Sequence, residues 1–413
     1  MSRRSPRPRR RSGVDHLTLA VIGDTQHYRD PHGRLCALEP VVMQLDRWAA
    51  LFDELVIVAP LDPGPVPVGF GPYSATNISI EPLPKGGGNT IWAKLGMLRL
   101  IPVWALVTRR VARRVDAVHL RCPCNIGLIA IFSTWKATRF RHGFYAGVWR
   151  GYPGEPFFFG LQRRLLGSRW FDGPVSVYAG RRPDRPNLEP FFSPSYDLAY
   201  WEQAGPAAAA KVERIREGAA EGRPWRLITV GRLTPNKNQR VIIEALGRVT
   251  DAGADVHLDV YGDGPCRGEL VDLARSRGVA DRVTFHGSVS HPAIMAAFEA
   301  ADLNILATRQ EGFGKVLLEG MVHATVPVFA ESPVADELSG GATRGLVFHA
   351  DDSGELAAHI LSLTTDTERW AKMAADARTF GQEMTLDRFA DRVREMLQDQ
   401  WSVTLPDPSE PRP

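Results

Sequence analysis

Apolar residues along this chain fall into two patterns. Short, predominantly apolar runs lie at 16–23, 54–59, 77–83, 117–121, 142–149 and 175–179. Such runs predict strands buried on both faces, because a half-exposed strand alternates apolar with polar positions. At 35–51, 91–114, 126–135 and 156–166 apolar residues recur every three or four positions, which predicts helices. Pro40 marks a late start or a kink in the first of these. Strand and helix in alternation predict a parallel sheet covered on both faces, an α/β fold.

Four prolines between 183 and 194 end this first unit, and an alanine-rich helix over 207–220 reads as a connection. Strand runs resume at 226–231, 256–262, 283–286, 303–308, 326–330 and 346–349, again with helices between. After Ser353 the pattern is helical, and the last amphipathic segment spans 386–401. The expected layout is a basic tail at 1–13, a first domain at 14–196, a linker at 197–224, a second domain at 225–384, a closing helix at 385–403 and a tail at 404–413. Two doubly wound, Rossmann-like domains facing a central cleft would bind ligand at the C-terminal edges of their strands.

The formal net charge of +3 changes meaning once it is placed along the chain. Arg3, Arg4, Arg7, Arg9, Arg10 and Arg11 crowd a Ser/Pro-rich start with no apolar period. That tail is expected to be disordered, and the body behind it carries −3. A slightly acidic body gives nucleic-acid binding no electrostatic support. No run reaches 18 apolar residues, and the run at 17–22 is too short for the core of a signal peptide. Four cysteines without paired metal-ligand spacing suit a reducing compartment. A cytoplasmic protein with no structural metal is expected.

The densest chemistry lies at 310–321, where Glu311 and Glu319 stand eight residues apart around Gly312, Phe313, Gly314 and Lys315. The order is strand, glycine loop, helix, so free backbone N–H groups point at whatever sits over the helix start, favouring a phosphate. A loop carboxylate and one a turn or two inside the helix would lie up to roughly 12 Å apart. That is too wide for two groups working on one glycosidic bond, and better suited to gripping the two ends of an elongated nucleotide-sugar. Either carboxylate alone could equally be a helix-dipole partner or a solvated side chain.

Two loops upstream add cations and glycines. At 230–238 a strand end carries Gly231 and Arg232, then Lys237 before a helix that Asn236 or Asn238 can cap. Arginine offers a fork to phosphate oxygens and lysine a point charge. At 261–268 a strand runs into Gly262, Asp263, Gly264 and Pro265, imitating a dinucleotide fingerprint. An NAD-dependent oxidoreductase is therefore a rival reading. Against it, the glycine spacing has one residue too many, and the following strand ends at Phe285-His286-Gly287 with no carboxylate for a ribose.

Gly231-Arg232 with Lys237, Gly262-Asp263-Gly264-Pro265, Phe285-His286-Gly287, and Glu311 with Glu319 together resemble the donor domain of retaining GT-B glycosyltransferases of family 4, the group 1 glycosyltransferases. The resemblance runs from about 226 to 348. It implies that Arg232 and Lys237 hold the donor diphosphate and stabilise its departure. It implies that Glu311 binds the donor sugar beside Gly312, Phe313 and Gly314, that Glu319 takes the ribose, and that the turn at Gly287 meets the base. Gly231, Gly262, Gly264 and Lys315 complete the implied donor set, and the last helix is expected to return to the first domain. No D-x-D pair occurs in the chain, so cations must do a metal's work and no cofactor is expected.

The first domain resembles the family more loosely. Where many members carry a histidine after the fifth strand, this chain has Ala146 or Gly147. His119 and His142 read as structural. Acceptor-side candidates are Asp24, Tyr28, Arg121, Trp149 and Arg150, the last two at a strand end where they suit a sugar or phosphate or simply pack. The helix at 91–114, with Trp92, Trp104, Arg109, Arg110, Arg113 and Arg114, suits either a peripheral membrane contact at the inner face or a buried helix with a charged end. The expected activity is metal-independent transfer of a sugar, with retention, to a lipid-linked saccharide or a small natural product. A catalytically silent nucleotide-sugar binding protein is the other rival.

Overall fold

A computed structural model describes residues 14–86, 96–179, 185–217 and 224–408. The first sheet is built from β1 (Thr18–Ile22), β4 (Glu54–Pro60), β6 (Ile78–Leu83), β7 (Ala117–Cys122), β8 (Phe140–Val148), β9 (Val175–Tyr178) and β10 (Leu188–Pro190). All are parallel, in the order β10-β9-β8-β7-β1-β4-β6. The second sheet holds β11 (Trp225–Val230), β12 (Val256–Tyr261), β13 (Val283–Gly287), β14 (Leu303–Leu306), β15 (Val326–Ala330) and β16 (Leu346–Phe348). It too is parallel, in the order β13-β12-β11-β14-β15-β16. Central strands are largely apolar because helices cover both faces: Leu303, Ile305, Val326 and Val328 are wholly buried.

The strand order reverses beside β1 in the first sheet and beside β11 in the second. At such a reversal the flanking loops diverge and leave a crevice at the strand ends. Gly23 and Asp24 follow β1 and Arg121 closes β7 on one side, while Arg232 follows β11 and Glu311 lies beyond β14 on the other.

Three local expectations need correction. Residues 35–38, read as the start of a helix, form β3 (Leu35–Leu38), which pairs antiparallel with β2 (Tyr28–Arg29) and β5 (Phe70–Pro72). The helix begins at Glu39 with Pro40 in its first turn, where a missing N–H costs nothing. Neither Asn236 nor Asn238 caps the helix Gln239–Asp251. Asn238 is left-handed (φ 54°) and its amide bonds Ala350 O at 2.6 Å, while Asn236 exchanges hydrogen bonds with the backbone of Gln310. The stretch after 403, read from its prolines as disordered, is tied down at its start: Thr404 bonds Asp15 in both directions and Leu405 is buried. The tail at 1–13, the start of the helix at 91–114 and the end of that at 207–220 lie outside the described residues.

Each face of the first sheet has its own core. One is filled by the helices Ile101–Ala112, Asn125–Ser133 and Phe157–Leu166, through Trp104, Val111, Ile126, Ile131 and Leu166. The other is filled by Glu39–Ala49 and by the last helix, Leu386–Trp401, whose Phe389, Val393, Met396, Leu397 and Trp401 pack among Leu17, Leu19, Leu45, Trp48 and Phe52. His119 and His142 lie in this second core, buried and stacked, with Nδ1 atoms 2.7 Å apart. Burial pushes His142 down to about 3. His142 Nε2 lies 2.9 Å from Ser176 Oγ, which donates to Met396 Sδ, so a chain of neutral tautomers accounts for the pair.

Candidate active site

The second sheet builds its edge by packing loops on one another. Leu233 N–H bonds Asp263 O at 3.0 Å, Cys266 N–H bonds Leu233 O at 3.1 Å, and Gly262 N–H bonds Gly287 O at 2.8 Å. A Cβ on Gly262 would lie 2.1 Å from Gly231 O, and one on Gly264 would lie 2.4 Å from Leu233 O. Close approach of two loops therefore explains both glycines, and Gly262 also has φ 125°. What that packing presents is Arg232, exposed, its guanidinium without a hydrogen bond or ion pair among the described residues while its carbonyl accepts from Gln239 Nε2.

Lys237 Nζ lies 2.7 Å from Glu311 Oε2, both side chains about a quarter exposed. Asn236 fixes their separation by clamping its loop to Gln310, and Arg309 N–H bonds Asn236 O at 2.9 Å. Gly314, left-handed at φ 78°, caps the helix Lys315–Val322 without a side-chain bond, so the first N–H groups of that helix stay free for a ligand. Lys315 opens the helix beside them. Burial, with the nearby Arg121 charge adding to it, brings Lys315 down to about 8.

Glu319 lies one turn further on and is 4% exposed. Its Oε1 accepts from Ser195 Oγ and lies 3.1 Å from His291 Nε2. Burial pushes this carboxyl up, but the bonds from His291 and Ser195 outweigh it and hold it below the usual range. Burial likewise pushes His291 down, and the Glu319 carboxylate outweighs that and raises it. The backbone N–H of His291 also reaches Glu39 of the first domain at 3.3 Å. Sequence reasoning missed both His291 and Ser195. A cavity of about 480 Å³ opens beside them, lined also by Asp46, Arg47, Asp197 and Tyr200.

On the first domain's edge, the Arg121 guanidinium stacks on Phe144 with 5.2 Å to the ring centre and makes no hydrogen bond or ion pair among the described residues. Burial lowers it, while Tyr178, Tyr73, Cys124 and Asp24 pull the other way. Asp24 is raised, chiefly by burial of its surroundings. His27, also missed, is buried and bonded to Thr25 O at 2.8 Å and Tyr73 Oη at 2.9 Å, and burial pushes it down to about 4. It orders the loop after β1 as a neutral imidazole.

The two edges touch. Where β8 runs past β9 the register slips between Tyr145 and Val148, leaving Ala146 and Gly147 bulged out. A Cβ on Gly312 would meet Tyr178 Cδ2 at 2.9 Å and Ala146 O at 3.0 Å, and the rings of Phe313 and Tyr178 lie 5.2 Å apart. The structure thus brings Arg232, Lys237, Glu311, Lys315 and Glu319 to one edge and Asp24 and Arg121 to the facing one. The other acceptor-side candidates sit differently. Trp149 packs on Tyr145 at 5.3 Å and against Gly167 in the core beneath the helices, Arg150 is exposed beyond it, and Tyr28 meets Phe70 edge-on in the small antiparallel sheet.

Residues 211–380 match the family model described as glycosyl transferases group 1. The chain is similar to an alpha-D-kanosaminyltransferase of Streptomyces kanamyceticus, 32% identical over 151 residues that cover 37% of this chain and 39% of that one. It is also similar to a GDP-mannose-dependent alpha-(1-6)-phosphatidylinositol monomannoside mannosyltransferase of Mycobacterium tuberculosis, 30% identical over 201 residues, 45% of this chain and 52% of that one. The chain thus spans about half or less of the length of these relatives. Over 93% of its residues it shares a fold with all of the Anabaena protein Alr3699/HepE, solved with UDP and glucose, at a TM-score of 0.67 and 18% identity. Two facing parallel sheets, a family match across the second of them and a shared fold along nearly the whole chain lead to one conclusion: residues 211–380 match the group 1 glycosyl transferases, and the chain has the GT-B fold.

Proposed function

We propose that the protein is a retaining, metal-independent glycosyltransferase that moves a sugar from a nucleoside diphosphate to an acceptor held by the first domain. The observation that carries this is the gathering of Lys237, Lys315 and Arg121 about the helix start at Gly314, with Arg232 at the end of β11 on the same sheet edge and Glu311 and Glu319 to either side. A diphosphate there would meet a guanidinium, two ammonium groups and backbone N–H donors, which supports stabilising the leaving group without a metal. Glu311, freed from Lys237 as that lysine turns to phosphate, would accept from the sugar hydroxyls. Glu319 would exchange Ser195 and His291 for the ribose.

Retention draws support from the first domain's edge. The bulge at Ala146 and Gly147 presents backbone where a histidine base could stand, and Asp24 is the carboxylate nearest the end of β1. Without a well-placed base, the departing phosphate oxygen itself takes the acceptor proton on the same face as the leaving group. The acceptor is a lipid-linked saccharide or a small natural product, in envelope polysaccharide or natural-product biosynthesis, and the name of one relative includes a lipid-linked saccharide, phosphatidylinositol monomannoside. No described helix is long and apolar enough to cross a membrane. We place the protein in the cytoplasm, peripheral to the inner membrane face.

The test is product stereochemistry with EDTA present. An α-linked product from an α-configured donor, read from the coupling of its anomeric proton, supports the reading. A β-linked product overturns retention and makes Asp24 the first candidate base. Activity lost in EDTA and restored by manganese or magnesium overturns metal independence.

A further inference from the structure

The helices Ile101–Ala112, Asn125–Ser133 and Phe157–Leu166 form one layer over the first sheet, on the face opposite the last helix. Thr108 and Ser133 hydroxyls 2.7 Å apart join the first two, and Trp170 joins Phe132 (5.6 Å) and Trp135 (5.3 Å) to the third. The outer surface of this layer has an unusual composition. Of eleven large apolar side chains exposed among the described residues, seven are here: Leu98, Val103, Leu106, Phe132, Trp135, Phe157 and Phe158. Leu106 is 69% exposed and Phe157 74%, levels that a monomer's surface tolerates singly but seldom in a group. Residues 96–115, 125–141 and 157–171 contain no aspartate or glutamate at all, but eleven arginines and lysines. A groove of about 420 Å³ in the layer has Leu106 and Val107 for its apolar lining and Arg109, Arg110, Arg113 and Arg114 around them.

We infer that this layer is a docking surface for a bilayer carrying anionic headgroups. Apolar side chains, two of them phenylalanines side by side, gain by entering the headgroup boundary, and interspersed cations gain from the surface potential. A polyanion such as RNA would use the cations and leave seven apolar side chains in water. A protein partner requires no such excess of cations, here opposed only by Glu81 at Arg110 and Glu155 at Arg163 among the described ion pairs of the layer. In a parallel α/β sheet each helix starts near the C-terminal edge of the preceding strand, so Phe157, Phe158 and Val103 lie toward the cleft rim and Arg113, Arg114 and Trp135 toward the far edge. Docking would lay the first domain flat on the bilayer with the acceptor side of the cleft opening near headgroup level. The inference rests on the composition and packing of the layer and stands apart from the transferase reading.

The test is sedimentation of the full chain with vesicles of phosphatidylcholine alone or with about 30 mol% phosphatidylglycerol, whose anionic headgroups set up a negative surface potential. We expect at least about tenfold stronger binding to the anionic vesicles, weakened about fivefold or more by 0.5 M salt. Two variants localise the contact: Leu106→Ser with Phe157→Ser and Phe158→Ser, and Arg113→Glu with Arg114→Glu. Each is expected to lose tenfold or more in vesicle binding while its thermal stabilisation by UDP stays that of the unaltered chain, showing that the fold survives. Absence of binding to anionic vesicles overturns the inference. So does binding unchanged in both variants, which assigns it to the arginine-rich start of the chain, and so does a dimer that the variants dissolve. If no nucleoside diphosphate stabilises the protein, the transferase reading fails while the vesicle result is read unchanged.

Discussion

Lys237→Met separates what a charge does for folding from what it does for chemistry. The ion pair it removes is 2.7 Å long, but the two side chains are 27% and 22% exposed, and Glu311 keeps access to water once its partner is gone. Pairs this exposed contribute about 0.2–1 kcal/mol, so the variant should lose no more than about 1 kcal/mol of stability. For a domain of this size that is a fall of about 2–4 °C in Tm. If the ammonium also faces a diphosphate whose charge grows as the sugar leaves, its loss costs about 10²–10³-fold in kcat, or roughly 2.7–4 kcal/mol of transition-state stabilisation. The two magnitudes differ enough to be told apart. Thermal unfolding gives the first, and release of nucleoside diphosphate from the donor under saturating conditions gives the second. Lys237→Arg should recover part of the rate, since it returns the charge with altered geometry. A Lys237→Met enzyme within tenfold of the normal kcat, or one altered only in donor KM, would refute the assignment and leave Lys237 as a clamp on the Glu311 loop.

Gly262→Ala should unfold or severely destabilise the second domain, because its Cβ would enter Gly231 O and no side chain there can yield; insoluble expression or a Tm fall above about 10 °C is expected. Gly312→Ala is aimed at the contact between edges: its Cβ would press on Tyr178 and the Ala146 carbonyl, so turnover should fall at least tenfold while Tm changes little, and small-angle scattering should report a larger radius of gyration. The Glu319–His291 pair sets a pH dependence. Glu319, lowered, contributes stability that is present above 4.5 and is lost as pH falls through its folded pKa. His291, raised, contributes below 6.5 and loses its contribution as pH rises through its folded value. Denaturant unfolding should therefore show His291→Gln most destabilised between pH 4.5 and 6.5 and nearer to the unaltered chain by pH 8.5; a gap that widens toward alkaline pH would show the sign to be wrong.

Legibility in the sequence followed how local the causes were. Most strands of the two large sheets stood out because double burial leaves runs such as Leu303–Leu306 with no exposed position; β10 (Leu188–Pro190) did not, because it lies among the prolines that read as the end of the first unit. β2, β3 and β5 did not, since they are two to four residues long, and β5 carries Gly71 and Pro72, which read as a turn. Their pairing of Cys36 with Pro72 is imposed by tertiary contact. Glu311 and Lys237 could be matched because each follows a strand that flanks the same reversal. The partners of Glu319 could not be, since Ser195 lies 124 residues away and meets it only when the two halves close. Trp149, which its place at a strand end left open to a ligand contact or to packing, packs on Tyr145.

The last helix gives the chain a birth order that differs from its reading order. As the polypeptide leaves the ribosome, everything needed for the second domain, from the helix Gly205–Arg216 whose Ala208 and Ile215 lie in its core through to 384, arrives as one continuous piece and can collapse on its own. The first domain, although translated earlier, lacks Phe389, Val393, Met396, Leu397 and Trp401 until the final residues are made. Each such side chain is worth roughly 1.5–3 kcal/mol of burial, so the face of β1 and β4 bearing Leu19 and Leu55, with Trp48 above it, stays greasy and open in the meantime. The half of the molecule synthesised first is then the half finished last, and a nascent chain stalled near residue 380 would offer chaperones a complete second domain tethered to an uncovered first.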